Sequence, residues 1–232
     1  MRPNTPPMES IRVEPFSRLI PSGLPYGYMI LIRGDLGMGK TLMVKLIARS
    51  ILAKYPLIYV AFDDDPASII GEFSSYSQNL YIIDGFNVEP AARGLPNIVG
   101  SVAELDPRQI VGMVSNSIAK AKARGIVIDS INDMLMNMEP RSLLYLLKGL
   151  KAVTRRFNVL TAVIAHTTSE DVANLLNNME YVFDGIVEVE LDPNLAQVGV
   201  PVRRMRVKRL SGLSHSIDWY YFTISRGKIT PV

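Results

Sequence analysis

The 232-residue chain contains no cysteine. That absence removes a disulfide framework, a thiolate metal centre and a cysteine nucleophile together. Histidine is nearly as scarce, with only His166 and His215 present, which argues against a metal centre built from imidazoles alone. No apolar run approaches the length of a membrane span, about 20 residues. The opening stretch MRPNTPPMESIRVEP lacks the apolar segment of a signal peptide. The expectation is therefore a cytoplasmic protein with no membrane partner. Charge of one sign is lacking too: 25 Lys and Arg against 22 Asp and Glu leave +3, too little by itself to demand a nucleic acid. What the chain does have is apolar content, 48% with only 20% charged residues. That is enough to exclude disorder over most of its length and to bury a core without staples.

The four prolines in residues 1–15 suggest an extended N-terminal arm, with residues 16–232 forming one domain. Tyr28 to Arg33 read as a buried strand. Leu42, Met43, Leu46, Ile47 and Ile51 recur at helical spacing. Leu57 to Phe62 form a second apolar strand that runs into three aspartates, Asp63 to Asp65, after which Pro66 opens a helix. Leu80 to Ile83 are a third strand, and residues 84–105 show no period and read as a long loop. Asp106 and Pro107 mark the cap and first position of a helix to about Ala123. Gly125 to Asp129 and Val159 to Ala165 are further buried strands, separated by an amphipathic helix from Arg141 to Phe157. Strands alternating with helices predict a mostly parallel sheet flanked by helices, an α/β fold. The segments 182–191, 201–210, 218–225 and 228–231 alternate with period two and are expected as antiparallel additions at its edge.

The strongest chemical signal is Gly34-Asp35-Leu36-Gly37-Met38-Gly39-Lys40-Thr41, which fits G-x-x-x-x-G-K-[ST] between a strand and a helix. Glycines let successive backbone N–H groups converge on phosphate oxygens, and the following helix presents its positive N-terminus, from Thr41 and Leu42, to the same anion. Lys40 is expected to neutralise the β- and γ-phosphates, and Thr41 to offer its hydroxyl to Mg2+. Asp129, ending an apolar strand, is the expected second Mg2+ ligand. Ser130 beside it either orients a metal water or caps the strand. The methionines Met134, Met136 and Met138 and the aromatic run Trp219 to Phe222 are expected as packing.

With these pieces in place the chain resembles the KaiC-like branch of the RecA superfamily of P-loop ATPases. The resemblance rests on SGLPYGYMILIRGDLGMGKT (22–41), LIYVAFDDDP (57–66), GIVIDSI (125–131), TAVIAHT (161–167), FDGIVEVEL (183–191) and VKRLSGLSHSIDWYYFTIS (207–225), in family order over nearly the whole chain after residue 20. It implies a RecA-like P-loop domain, ATP and Mg2+ as ligands, and a ring or filament of identical subunits with ATP near the interface. It implies a catalytic carboxylate at Asp63 or Asp64, where family members that hydrolyse ATP carry a pair of glutamates. An aspartate is one methylene shorter, which predicts slow turnover. It also implies a basic residue at Arg209 facing a neighbour's phosphates, whereas Ser211 stands where the family carries an arginine. The run from Arg203 to Arg209 offers substitutes. On a regular strand Arg204, Arg206 and Lys208 share one face and Arg209 takes the other. His166, following a buried strand, matches a place where such proteins set a polar residue that senses the γ-phosphate. Three readings stay open: a slow ATPase acting as an oligomer, a nucleotide-binding regulatory or scaffold subunit without turnover, and a DNA-binding recombinase-type paralogue.

Overall fold

The computed structural model describes residues 8–86, 95–197 and 199–232. Residues 1–7 of the expected N-terminal arm lie outside the described residues, as do residues 87–94 of the expected long loop. From residue 8 onward the expected arm is part of the body. Strand β1 (Ser10–Ile11) pairs antiparallel with β2 (Leu24–Pro25), on either side of the short helix α1 (Phe16–Leu19). Ile11, Val13, Pro15 and Phe16 are buried, so residues 8–15 form a packed lead-in.

The phosphate-loop unit follows as β3 (Met29–Gly34) and α2 (Lys40–Leu52). Next come β4 (Leu57–Ala61), α3 (Pro66–Glu72), β5 (Leu80–Asp84) and β6 (Ile98–Ser101). Strand β6 lies inside the stretch expected to be loop. Only four residues long and at the sheet edge, it has no completely buried side chain, so no hydrophobic period announces it. Helix α4 (Pro107–Ala121) starts as expected, with the Asp106 carboxylate accepting from Arg108 N and Pro107 in the first turn. Strand β7 (Gly125–Asp129), the helices α5 (Asn132–Asn137) and α6 (Pro140–Phe157), strand β8 (Leu160–His166) and helix α7 (Glu170–Met179) complete the central part. The remaining elements are β9 (Gly185–Leu191), α8 (Pro193–Gln197), β10 (Arg203–Leu210), β11 (Tyr220–Ser225) and β12 (Lys228–Pro231).

Ten strands form one sheet in the order β12-β11-β10-β9-β3-β8-β7-β4-β5-β6. All pairings from β9 to β6 are parallel, and β10, β11 and β12 add on antiparallel. The α/β reading therefore holds, with one correction. Segment 182–191, expected as antiparallel, contributes β9, which runs parallel to β3 inside the sheet. Its alternation comes from Glu188 and Glu190, which face the arginines of β10. Both faces of the sheet are covered. Ile30 and Ile32 of β3 join one apolar cluster with α2, while Met29 and Leu31 join a second with α4, α6 and α7. Burial on both faces explains why the central strands read as continuous apolar runs. No helix of the described residues is long and apolar enough to cross a membrane.

Candidate functional site

Strand β3 delivers its chain to the loop beside β9. Gly34 has φ +152°, and a Cβ there would lie 1.9 Å from the Val189 carbonyl oxygen. Gly39, the cap of α2, has φ +91°, and a Cβ on it would meet Ile224 of β11 at 2.3 Å. The loop between them is tied to the end of β8: Thr167 Oγ1 donates to Asp35 Oδ1 (2.7 Å) and Thr167 N to Gly34 O (3.1 Å). Met38 is buried and Leu36 is exposed.

Lys40 is buried, and its ammonium donates to Asp35 O at 2.6 Å. Burial lowers its pKa to about 8, against the opposing pull of Asp35, Asp129 and Asp63. A buried cation whose hydrogen bond goes to a neutral carbonyl is prepared to exchange it for phosphate oxygens, to which its hydrogen bonds are about twice as strong. Asp129 is buried at the end of β7. Tyr59 Oη donates to its Oδ2 at 2.9 Å, and Thr41 Oγ1 lies 3.5 Å from its Oδ1. Burial pushes the Asp129 carboxyl up to about 6, with Asp63 and Asp64 adding to the effect against the Tyr59 hydrogen bond. The Thr41–Asp129 spacing is near that of neighbouring ligands on one hard cation, roughly 3 Å for bonds of about 2.1 Å. A partly uncompensated buried carboxylate beside a hydroxyl is a donor set that fits Mg2+.

The first two of the three aspartates after β4 part company. Phe62 N and Asp63 N both donate to Asp129 O, which pins the end of β4 to β7. Asp63 Oδ1 accepts from Ser130 Oγ (3.1 Å), and Asp63 Oδ2 lies 3.1 Å from His166 Nε2. Burial raises the Asp63 pKa, but the bonds from His166 and Ser130 outweigh it and hold the carboxyl below its ordinary value. Asp64 instead turns to α2 and pairs with Lys45 at 3.2 Å, while Lys45 also binds Glu72 at 2.8 Å. Asp65 caps α3 through Ser68 N. Asn132 clamps the end of β8, its Nδ2 donating to His166 O and its Oδ1 accepting from His166 N.

A cavity of about 470 Å3 opens over this arrangement. It is lined by Gly37, Gly39, Lys40, Thr41, Leu42 and His166, and on its other side by Arg203, Ile224 and Gly227. Of the sequence-predicted residues, the structure brings together the loop from Gly34 to Leu42, Asp129 and Asp63. Asp64 is turned to Lys45 instead. Arg209 is not brought to the loop of its own chain, because its Nη2 donates to Glu180 O and Phe183 O at 2.6 and 2.8 Å. A bulge at Lys208 also changes its face. Arg206 pairs with Glu188 and Arg209 with Ile186, so Arg209 shares a face with Arg206, contrary to the regular-strand expectation.

Three of the remaining cations in the run are paired with acids. Arg204 pairs with Glu190 and Asp192, Arg206 with Glu188, and Lys208 with Glu180. Trp219, expected as packing, lies against the guanidinium groups of both Arg204 and Arg206, at 4.3 and 4.6 Å. Arg203 alone of the run reaches the loop, donating to Gly37 O from Nε and Nη2 at 3.2 and 3.1 Å. Sequence reasoning singled out the run but not this residue. Tyr59 and Lys45 were missed. Only Lys45 left a signal, four residues after Thr41 on the same helix face.

Comparison with known proteins gives the family and the fold. The family model described as "ATPase: KaiC" matches residues 10–231. The circadian clock oscillator protein KaiC of Parathermosynechococcus lividus is 27% identical over 96% of this chain, which spans 42% of that protein's length. A UPF0273 protein of Sulfurisphaera tokodaii is 24% identical over 88% of this chain and 76% of its own. A solved KaiC-like protein from the hyperthermophilic archaeon Pyrococcus horikoshii OT3 shares the fold. Its TM-score is 0.70 at 18% identity, covering 97% of this chain and 98% of that one.

Proposed function

The chain belongs to the KaiC ATPase family, and from that premise we propose that it binds MgATP in the loop cavity and hydrolyses it slowly as a cytoplasmic oligomer. The observation that carries this reading is that Lys40, Thr41 and His166 line a single cavity, with the Asp129 carboxylate 3.5 Å behind Thr41 and the Asp63 carboxylate 3.1 Å from His166. The loop N–H groups and the start of α2 hold the phosphates, and Lys40 leaves the Asp35 carbonyl for the β- and γ-phosphate oxygens. Thr41 and Asp129 hold the Mg2+, which supplies neutralisation of the charge shared by those two phosphates. Asp63 faces the γ-phosphate end and orients the attacking water, with Ser130 and His166 fixing its carboxylate. Arg203 closes the cavity from the β10 side by exchanging its neutral acceptor, Gly37 O, for the nucleotide.

A specific observation favours the reading without turnover. Both oxygens of Asp63 already accept hydrogen bonds, and its lowered pKa makes it a weak base. Steady-state phosphate release separates the two readings. Mg2+-dependent release from the assembled protein, reduced at least about tenfold in Asp63→Asn, supports hydrolysis. Nucleotide binding with no release above the uncatalysed rate establishes the regulatory or scaffold reading. DNA has no part in the proposal, because Arg204, Arg206 and Lys208 are paired with Glu190, Glu188 and Glu180, and Arg203 and Arg209 are turned onto backbone carbonyls of their own chain.

A further inference from the structure

Asp63, Asp129 and His166 reach one point from the ends of three adjacent parallel strands, β4, β7 and β8. One oxygen of each carboxylate and one ring nitrogen lie within 4.8 Å of one another. His166 Nε2 and Asp63 Oδ2 are 3.1 Å apart. Neighbouring ligands of a dication with bonds of about 2.0–2.2 Å stand roughly 3.0–3.5 Å apart, so this pair already has the spacing of a coordination edge. Ser130 holds Asp63 Oδ1 and Tyr59 holds Asp129 Oδ2. The second oxygens meet only His166 Nε2 (3.1 Å) and Thr41 Oγ1 (3.5 Å), contacts that an ion bound there would replace. Asn132 fixes the backbone of His166. His166 Nδ1 is buried with no hydrogen-bond partner among the described residues. The ring can therefore carry its proton there and offer the free pair of Nε2 to an ion, which then replaces the single hydrogen bond from Nε2 to Asp63 Oδ2. Two carboxylates and a neutral imidazole sum to −2, the complement of a dication.

We propose that, without nucleotide, the chain binds a first-row transition dication, zinc foremost, through Asp63, Asp129 and His166. The imidazole selects the class: nitrogen suits zinc and its neighbours, whereas Mg2+ takes oxygen ligands and keeps its waters. The ion shares Asp129 with the Mg2+ of MgATP, so each excludes the other, and by linkage each weakens the other equally. This exclusion rests on the proposed function, but the metal site itself does not.

Titration of Zn2+ into the nucleotide-free, untagged full chain tests it, with Co2+ absorption as the spectroscopic counterpart. The expected result is one ion per chain, with affinity reduced at least about tenfold by His166→Ala or Asp63→Asn and unchanged by His215→Ala. Melting curves of the metal-free variants check that they remain folded. Bound zinc should raise the apparent Kd of MgATP at least about tenfold. Absence of saturable one-to-one binding, or binding unaffected by both site variants, overturns the metal site. A chain that binds zinc but not MgATP would contradict the proposed function and leave the site standing. A chain that binds MgATP but not zinc would do the reverse.

Discussion

Asp129 sits in a folded environment that disfavours its charge, and this makes it a residue whose removal should have opposite effects on stability and on ligand binding. Its pKa rises from 3.8 to about 6 on folding. Between those values the folded protein holds more protons than the unfolded chain, so stability falls as pH rises through this window and stays lowered above it. The full effect is of order 3 kcal/mol. Asp129→Asn keeps an acceptor for Tyr59 and loses the charge. In melts without nucleotide the variant should match the parent near pH 4 and exceed it at pH 7, while its Mg2+-dependent nucleotide affinity drops. A melting difference that does not change with pH would contradict this. Lys40 makes the complementary case. Its pKa of about 8 in the free protein should rise against a triphosphate. Calorimetry near pH 8.5 in buffers of different ionisation enthalpy should then report proton uptake on nucleotide binding, absent in Lys40→Met.

At the scale of elements, the loop is held by two different glycine requirements. A Cβ at Gly34 meets the β9 backbone at Val189 O, whereas a Cβ at Gly37 meets nothing within 4 Å. Both have positive φ. Gly37→Ala should cost about 1–2 kcal/mol from its backbone conformation alone. Gly34→Ala should cost at least about 1–3 kcal/mol more, because two backbones must separate. Denaturant melts of the pair check the order. The motif fixes glycine at position 34 and leaves position 37 open, and only the packed sheet shows what a side chain would meet at each. The same limit runs through the fold. Strands β3, β4, β7 and β8 were legible because burial on both faces writes unbroken apolar runs. Strand β9 was legible as a strand but not in direction, since its charged residues answer partners on β10 rather than solvent. The position of Arg209 depended on one bulge, which nothing in Val207-Lys208-Arg209 announces. Lys40, Thr41 and Asp129 could be placed because a motif and a strand end fix them, while the contacts of Tyr59 and Arg203 with the site arise from strands far apart in sequence.

For the whole molecule, the proposed oligomer bears on turnover. Ser211 is exposed. Its backbone is fixed by Ser211 N donating to Asp184 O and by Tyr28 Oη donating to Ser211 O. Arginine can therefore replace it without repacking. If the segment after β10 faces a neighbour's phosphates, Ser211→Arg should raise kcat with little change in ATP affinity. The gain should appear only at concentrations where sedimentation shows assembly. Charges supplied by an arginine in this way are worth about 10^3–10^5 in better-known P-loop systems, so even a poorly placed one should be measurable. A kcat unchanged in an assembled variant would place the neighbour elsewhere. All of this depends on the loop being a nucleotide site, and calorimetric titration of MgATP into the parent chain and Lys40→Ala tests that most directly. The account predicts one nucleotide per chain and a loss of affinity of at least about tenfold in the variant, with its melting behaviour preserved. Equal affinity in the two proteins, or no saturable binding to the parent, would contradict it.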